Sequence, residues 1–252
     1  MYYKNKDLAL YYKMYGTGCN NIIILPGWGD TRKTFNEFIN HYQEDYKIYI
    51  LDYPGFGKST FPERDLTIFN YAKLIRDFMD DLKISNPIII AHSFGGRIAT
   101  LLVTKYNVKV SKMVFMNVAG IRRKSFKRWF RQIIYKIRKK LSIFIPHKRR
   151  NSYLKRLRNK YGSEDYNNLS TNMVKTFSNI VNEDLRQYIP QIRNDVLLIW
   201  GMMDEATPLK DGYYFQRRIK DSAIIVFPKG THFTYLEYPQ LVISIIDKFL
   251  EG

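Results

Sequence analysis

A serine, a carboxylate and a histidine, each just past a run of apolar residues, are the groups in this sequence best placed to do chemistry. Ser93 lies in Ala91-His92-Ser93-Phe94-Gly95, between the run Ile88-Ile89-Ile90-Ala91 and the helix-like Arg97-Ile98-Ala99-Thr100-Leu101-Leu102. Small residues two before and two after the serine suit a sharp strand-to-helix turn, in which the two backbones nearly touch. Such a turn would hold the Ser93 hydroxyl at the C-terminal edge of a sheet. It would also set the Phe94 N–H at a helix N-terminus, where an oxyanion is stabilised. A serine hydroxyl is a poor nucleophile alone and needs a histidine base, itself oriented by an acid. Asp204 follows the apolar run Val196-Leu197-Leu198-Ile199-Trp200, with Glu205 beside it as a competitor, and His232 follows the run from Ala223 to Phe227. His92 reads as a residue packed beneath the turn, and His41 and His147 as surface or insert residues.

These residues need a scaffold that brings distant segments to one edge. Strand-like runs recur at Asp7 to Tyr15, 21–25, Tyr46 to Leu51, 88–91, Val110 to Val118, 196–200 and 223–227. A helical stretch from about Thr67 to Leu82 keeps its apolar residues at spacings of three and four. Continuous apolar strands alternating with helices predict a mostly parallel central sheet with helices on both faces, an α/β class. From about 121 to 189 the alternation is interrupted. Phe126, Trp129, Phe130, Ile133, Ile134, Ile137 and Leu141 fall on one helical stripe among lysines and arginines, and Pro146 is placed to stop that helix. The reading is an all-helical insert, 121–189, in a body formed by 1–120 and 190–252.

With those motifs together, the sequence resembles the α/β-hydrolase superfamily over nearly its whole length. Leu25-Pro26-Gly27-Trp28-Gly29-Asp30 is similar to the family's H-G-x-G loop, and Asp52-Tyr53-Pro54-Gly55-Phe56-Gly57-Lys58-Ser59 to its D-x-x-G-x-G-x-S loop. Trp200-Gly201 through Asp204 to Pro208, and Gly230-Thr231-His232 with Tyr238-Pro239, match as well, and the order Ser, Asp, His is the family's. The resemblance implies a triad of Ser93, Asp204 and His232, and an oxyanion hole from the N–H groups of Trp28 and Phe94. It also implies a helical cap at 121–189. It favours Asp204 over Glu205 through the W-G-x-x-D spacing. Asn117 stands where some relatives carry the acid. The sequence departs from the pattern at Pro26, where a histidine is usual, and at Ala91, where glycine is. The expected activity is hydrolysis of a carboxylic ester with a hydrophobic acyl or alcohol part. Trp28, Phe94, Met202, Phe233 and Trp129 are the candidate substrate-binding residues. The same triad could instead cleave a C–C bond, an amide or a peracid. A different class of reading is a non-catalytic binding module.

Composition narrows the rest. The 252 residues are 45% hydrophobic and 25% charged, enough for a sizeable core and too apolar for disorder. Cys19 is the one cysteine and the four histidines are scattered, so neither a disulfide framework nor a metal motif is indicated. Gly57-Lys58-Ser59-Thr60 is not a phosphate loop, because position 52 holds Asp52 instead of glycine, and no G-x-G-x-x-G is present. No cofactor is expected. No stretch is apolar enough to span a bilayer and the N-terminus lacks the core of a signal peptide, so a cytoplasmic protein, at most peripheral at a membrane, is expected. Between 121 and 160 there are seventeen Lys and Arg and no Asp or Glu, which accounts for nearly all of the formal charge of +18. A near-neutral body with one basic segment points away from nucleic acid. It points toward solvated lysines on a lid, an anionic membrane surface, or an acidic carrier protein as partner to the small-molecule ester.

Overall fold

The computed structural model describes residues 1–5, 7–30, 32–122, 152–153 and 173–252. Eight strands are present among them: β1 Tyr2–Asn5, β2 Leu8–Tyr15, β3 Asn20–Leu25, β4 Tyr46–Leu51, β5 Ile88–His92, β6 Lys112–Met116, β7 Asp195–Gly201 and β8 Ser222–Phe227. They form one sheet in the order β1-β2-β4-β3-β5-β6-β7-β8. β1 pairs with β2, and β2 with β4, antiparallel; every pairing from β4 to β8 is parallel. The helices are α1 Asn36–Tyr42, α2 Ile68–Asp81, α3 Phe94–Thr104, α4 Val174–Asn182, α5 Leu209–Arg218, α6 Thr234–Glu237 and α7 Pro239–Glu251. The mostly parallel α/β sheet expected from the sequence is therefore the observed fold.

The central strands owe their uniform burial to helices on both sides. On one face Ile22, Ile24, Ile48, Ile50, Ile90, Val114, Met116 and Ile199 pack with Phe35, Phe38 and Ile39 of the α1 region and Val242, Ile243 and Ile246 of α7. On the other face Phe115 and Trp200 meet Phe215 of α5, and α3 packs against α2, β3 and β5. β8 at the sheet edge alternates instead between half-buried and exposed, with Phe227 buried at its end, as expected where a helix covers one side only. The run read as a single N-terminal strand is preceded by β1, a short edge strand of Tyr-Tyr-Lys-Asn whose polarity hides it from a search for apolar runs. α2 begins at a capping box, in which Thr67 Oγ1 accepts the Asn70 N–H and Asn70 Oδ1 accepts the Thr67 N–H.

By contact the chain forms two compact units, Met1–Ile121 with Glu183–Gly252, and Arg122–Asn182. The Leu185 N–H donates to Gly120 O, which ties residues after 183 into the first unit. In the second unit α4 is a helix within the insert read from the sequence at 121–189. Trp129, its apolar stripe and Pro146 lie outside the described residues.

Candidate active site

Parallel register aligns the strand ends that precede the candidate residues. His92 of β5 pairs with Met116 of β6, Met116 with Ile199 of β7, and Gly201 with Phe227 of β8. The residues that follow these ends therefore share one sheet edge. Ser93 leaves β5 with φ +47° and ψ −110°, a conformation an L-residue adopts only at a cost of about 1–3 kcal/mol. α3 starts at the next residue. A Cβ on Gly95 would lie 2.0 Å from Leu25 O, and one on Gly96 2.3 Å from Val118 Cβ, so the turn excludes side chains there. Ala91 is fully buried in β5 and its methyl group is accommodated.

Ser93 Oγ is 3.0 Å from His232 Nε2, and His232 Nδ1 is 2.9 Å from Asp204 Oδ2. Ser93 Oγ–H donates to Nε2 when Nδ1–H donates to the carboxylate, the tautomer a general base requires. The Asp204 side chain is completely buried and that of His232 mostly so. Burial pushes Asp204 up, but the hydrogen bonds from His232 and Thr207 outweigh it and hold the carboxyl below the usual carboxylate range. Glu205, the competitor by sequence, is exposed.

The sequence reading missed the support around Asp204. Asn117 Nδ2 donates to Asp204 Oδ2 at 2.7 Å and to Thr231 O at 3.2 Å, while the Thr207 N–H donates to Asp204 Oδ1 at 2.8 Å. Thr207 Oγ1 lies 2.6 Å from Asp204 Oδ2 and 2.9 Å from Asn117 O. Asn117 thus touches the acid from the position where relatives sometimes place it, and its φ of +48° marks a second sharp exit from a strand. Asp-x-x-Thr in the loop after β7 was the available signal for Thr207.

Trp28, in the loop after β3, packs edge-on against Phe94 and Phe56. The Phe94 ring also meets Tyr53 and Tyr71 and is only 3% exposed, so its side chain is part of the floor. Met202 and Phe233 are 54% and 41% exposed, on the loops after β7 and β8. His92 lies beneath the turn, 1% exposed, between Asp30 and the His232 backbone. In the Asp52 to Ser59 loop the Lys58 N–H donates to Asp52 Oδ2 and Ser59 Oγ donates to Asp52 O, so these polar groups are engaged within the loop. Among the described residues no cluster of His, Cys, Asp or Glu is arranged to hold a metal ion, and no helix is long and apolar enough to cross a membrane.

A family model for the α/β-hydrolase fold matches residues 20–239. The chain belongs to the α/β-hydrolase family. This α/β-hydrolase is 24% identical over 96% of its length to a pimeloyl-[acyl-carrier protein] methyl ester esterase of Wigglesworthia glossinidia brevipalpis, 97% of which is covered. It is 23% identical over 97% of its length to a 2-hydroxy-6-oxononadienedioate/2-hydroxy-6-oxononatrienedioate hydrolase of Burkholderia vietnamiensis, 91% of which is covered. Among solved structures it resembles the enol-lactonase of Burkholderia xenovorans LB400, with a TM-score of 0.77 at 17% identity and full coverage of both chains, a likeness of fold. The chain is an α/β-hydrolase enzyme.

Proposed function

We propose that this hydrolase cleaves carboxylic esters through an acyl-enzyme on Ser93. The observation that carries the reading is the unbroken hydrogen-bond chain from Ser93 Oγ through the His232 ring to Asp204. In the proposed cycle Ser93 Oγ attacks the ester carbonyl as its proton passes to His232 Nε2. The imidazolium, steadied by Asp204, returns that proton to the leaving alcohol as the C–O bond breaks. Water repeats the sequence on the acyl-enzyme and releases the acid. The N–H groups of Phe94 and Trp28 are the proposed oxyanion donors. Met202 and Phe233 offer apolar surface to the acyl chain, beside Trp28 and the Phe94 ring packed against it. A p-nitrophenyl ester series of increasing acyl length, run beside a fluorophosphonate probe, tests this. Wild type is expected to turn over and to be labelled, and Ser93→Ala to do neither. Labelling that survives Ser93→Ala, or no labelling together with no turnover of any ester or diketone, would leave a non-catalytic module.

The Burkholderia vietnamiensis relative supports a second reading, cleavage of a C–C bond with the same triad. Faster hydrolysis of a vinylogous diketone than of any ester in the series would select it. For the basic segment at 121–160 we favour docking of an acidic carrier protein bearing the acyl ester over binding of anionic lipid. Its unbroken positive charge suits such a partner, and the Wigglesworthia relative is named for a carrier-bound ester.

A further inference from the structure

Behind the candidate triad sits a second imidazole–carboxylate pair. His92 Nε2 lies 3.0 Å from the backbone carbonyl of His232, which can only accept, so Nε2 carries a proton. His92 Nδ1 lies 3.1 Å from Asp30 Oδ2, and the Gly27 N–H donates to that same oxygen at 3.1 Å. An imidazole nitrogen and a carboxylate oxygen in this contact need a proton between them, since otherwise two lone pairs would face each other. The loop is built around the pair. A Cβ on Gly27 would lie 2.4 Å from Asp30 Oδ2 and 2.8 Å from His92 Nδ1, so only glycine leaves room for the contact.

We propose that Asp30 and His92 are a positioning pair that locks the Gly27–Asp30 loop to the backbone of His232 through one shared proton, keeping the oxyanion donor Trp28 in register with the base. The inference rests on the triad and oxyanion reading given above. The pair joins three chain segments far apart in sequence: the loop after β3, the residue before Ser93, and the loop after β8. The His92 ring lies 4.9 Å from that of His232 and 4.8 Å from that of Tyr235. The titratable groups facing the pair are therefore His232, Tyr235 and, on the Asp30 side, Tyr53. Burial holds both phenols well above their ordinary value, so they stay protonated. Burial also lowers the imidazole of His92, with Asp30 pulling the other way. With its proton the pair is net neutral, and without it the pair is a mostly buried anion facing a lone pair. Burial of the pair as a unit therefore retains the shared proton.

Loss of that proton as pH rises opens the contact, so kcat falls on the alkaline side of its profile. The test compares Asp30→Ala with Asp30→Asn across pH on a p-nitrophenyl ester. Asp30→Ala is expected to lower kcat about 10-fold to 100-fold with KM little changed, the loss typical of a displaced catalytic group. In Asp30→Asn one amide atom cannot both donate to neutral His92 and accept the Gly27 N–H, so this variant recovers only part of that loss and shows no alkaline decline. A second readout does not depend on turnover. Proton NMR of wild type should show two low-field imidazole resonances, one lost in Asp30→Asn and the other lost in Asp204→Asn. An Asp30→Asn profile that declines at the wild-type pH, or low-field resonances that it leaves unaltered, would overturn the pair. Failure of Ser93 labelling in wild type would overturn the triad reading instead and leave the NMR result standing on its own.

Discussion

Asp204 Oδ2 faces His232, Asn117 and Thr207 at once, so the charge proposed to orient the base is itself held by neutral donors. Exchanging the carboxylate for an amide keeps the shape but removes the charge and leaves an N–H where His232 needs an acceptor. Asp204→Asn is therefore expected to lower kcat by about 10²-fold to 10⁴-fold with a small change in KM, measured by steady-state ester hydrolysis. Thr207→Val removes the one hydroxyl proton that Asp204 Oδ2 and Asn117 O compete for, and leaves one of these buried acceptors short of a donor. It should cost about 1–3 kcal/mol of stability in chemical denaturation. The same residue sets a pH dependence. Its folded carboxyl is held below the ordinary value, so its contribution is complete above the unfolded carboxylate pKa of about 4 and is lost as pH falls through the folded value. The stability gap between wild type and Asp204→Asn should accordingly close as pH is lowered below about 4, and a gap constant with pH would contradict the assignment.

At the scale of elements, the turn between β5 and α3 is packed too closely to admit side chains. Gly95 faces the Leu25 backbone of β3, which cannot move without breaking its pairing with β5. Gly95→Ala should destabilise by at least about 1–3 kcal/mol, the usual range for an overpacked site, read as a lowered denaturation midpoint. Ala91→Gly should cost only about 0.5–1 kcal/mol, because it removes a methyl group that fits and loosens a strand. The two small positions of the motif look equivalent in sequence but are not so in space. The elements themselves were legible where apolar residues repeat without interruption, as in β4 and α2. β1 was not, because a polar edge strand has no apolar run to read.

For the molecule as a whole, one basic segment on a near-neutral body predicts a selective salt effect. Turnover of a carrier-bound ester should fall steeply between low and physiological ionic strength, while a small p-nitrophenyl ester is unaffected. Equal salt sensitivity of both substrates, or co-sedimentation with anionic but not neutral vesicles, would turn the assignment toward lipid. The sequence by itself determined the class of fold and which strand ends would carry Ser93, Asp204 and His232, because strand periodicity and a strand-turn-helix junction are local patterns. Only the tertiary structure decided what surrounds them. The donor of Asn117 to Asp204, and the bridge from Asp30 through His92 to the His232 backbone, join segments 62 to 140 residues apart. Such contacts follow from the parallel register of neighbouring strands, and no local pattern in the chain encodes that register.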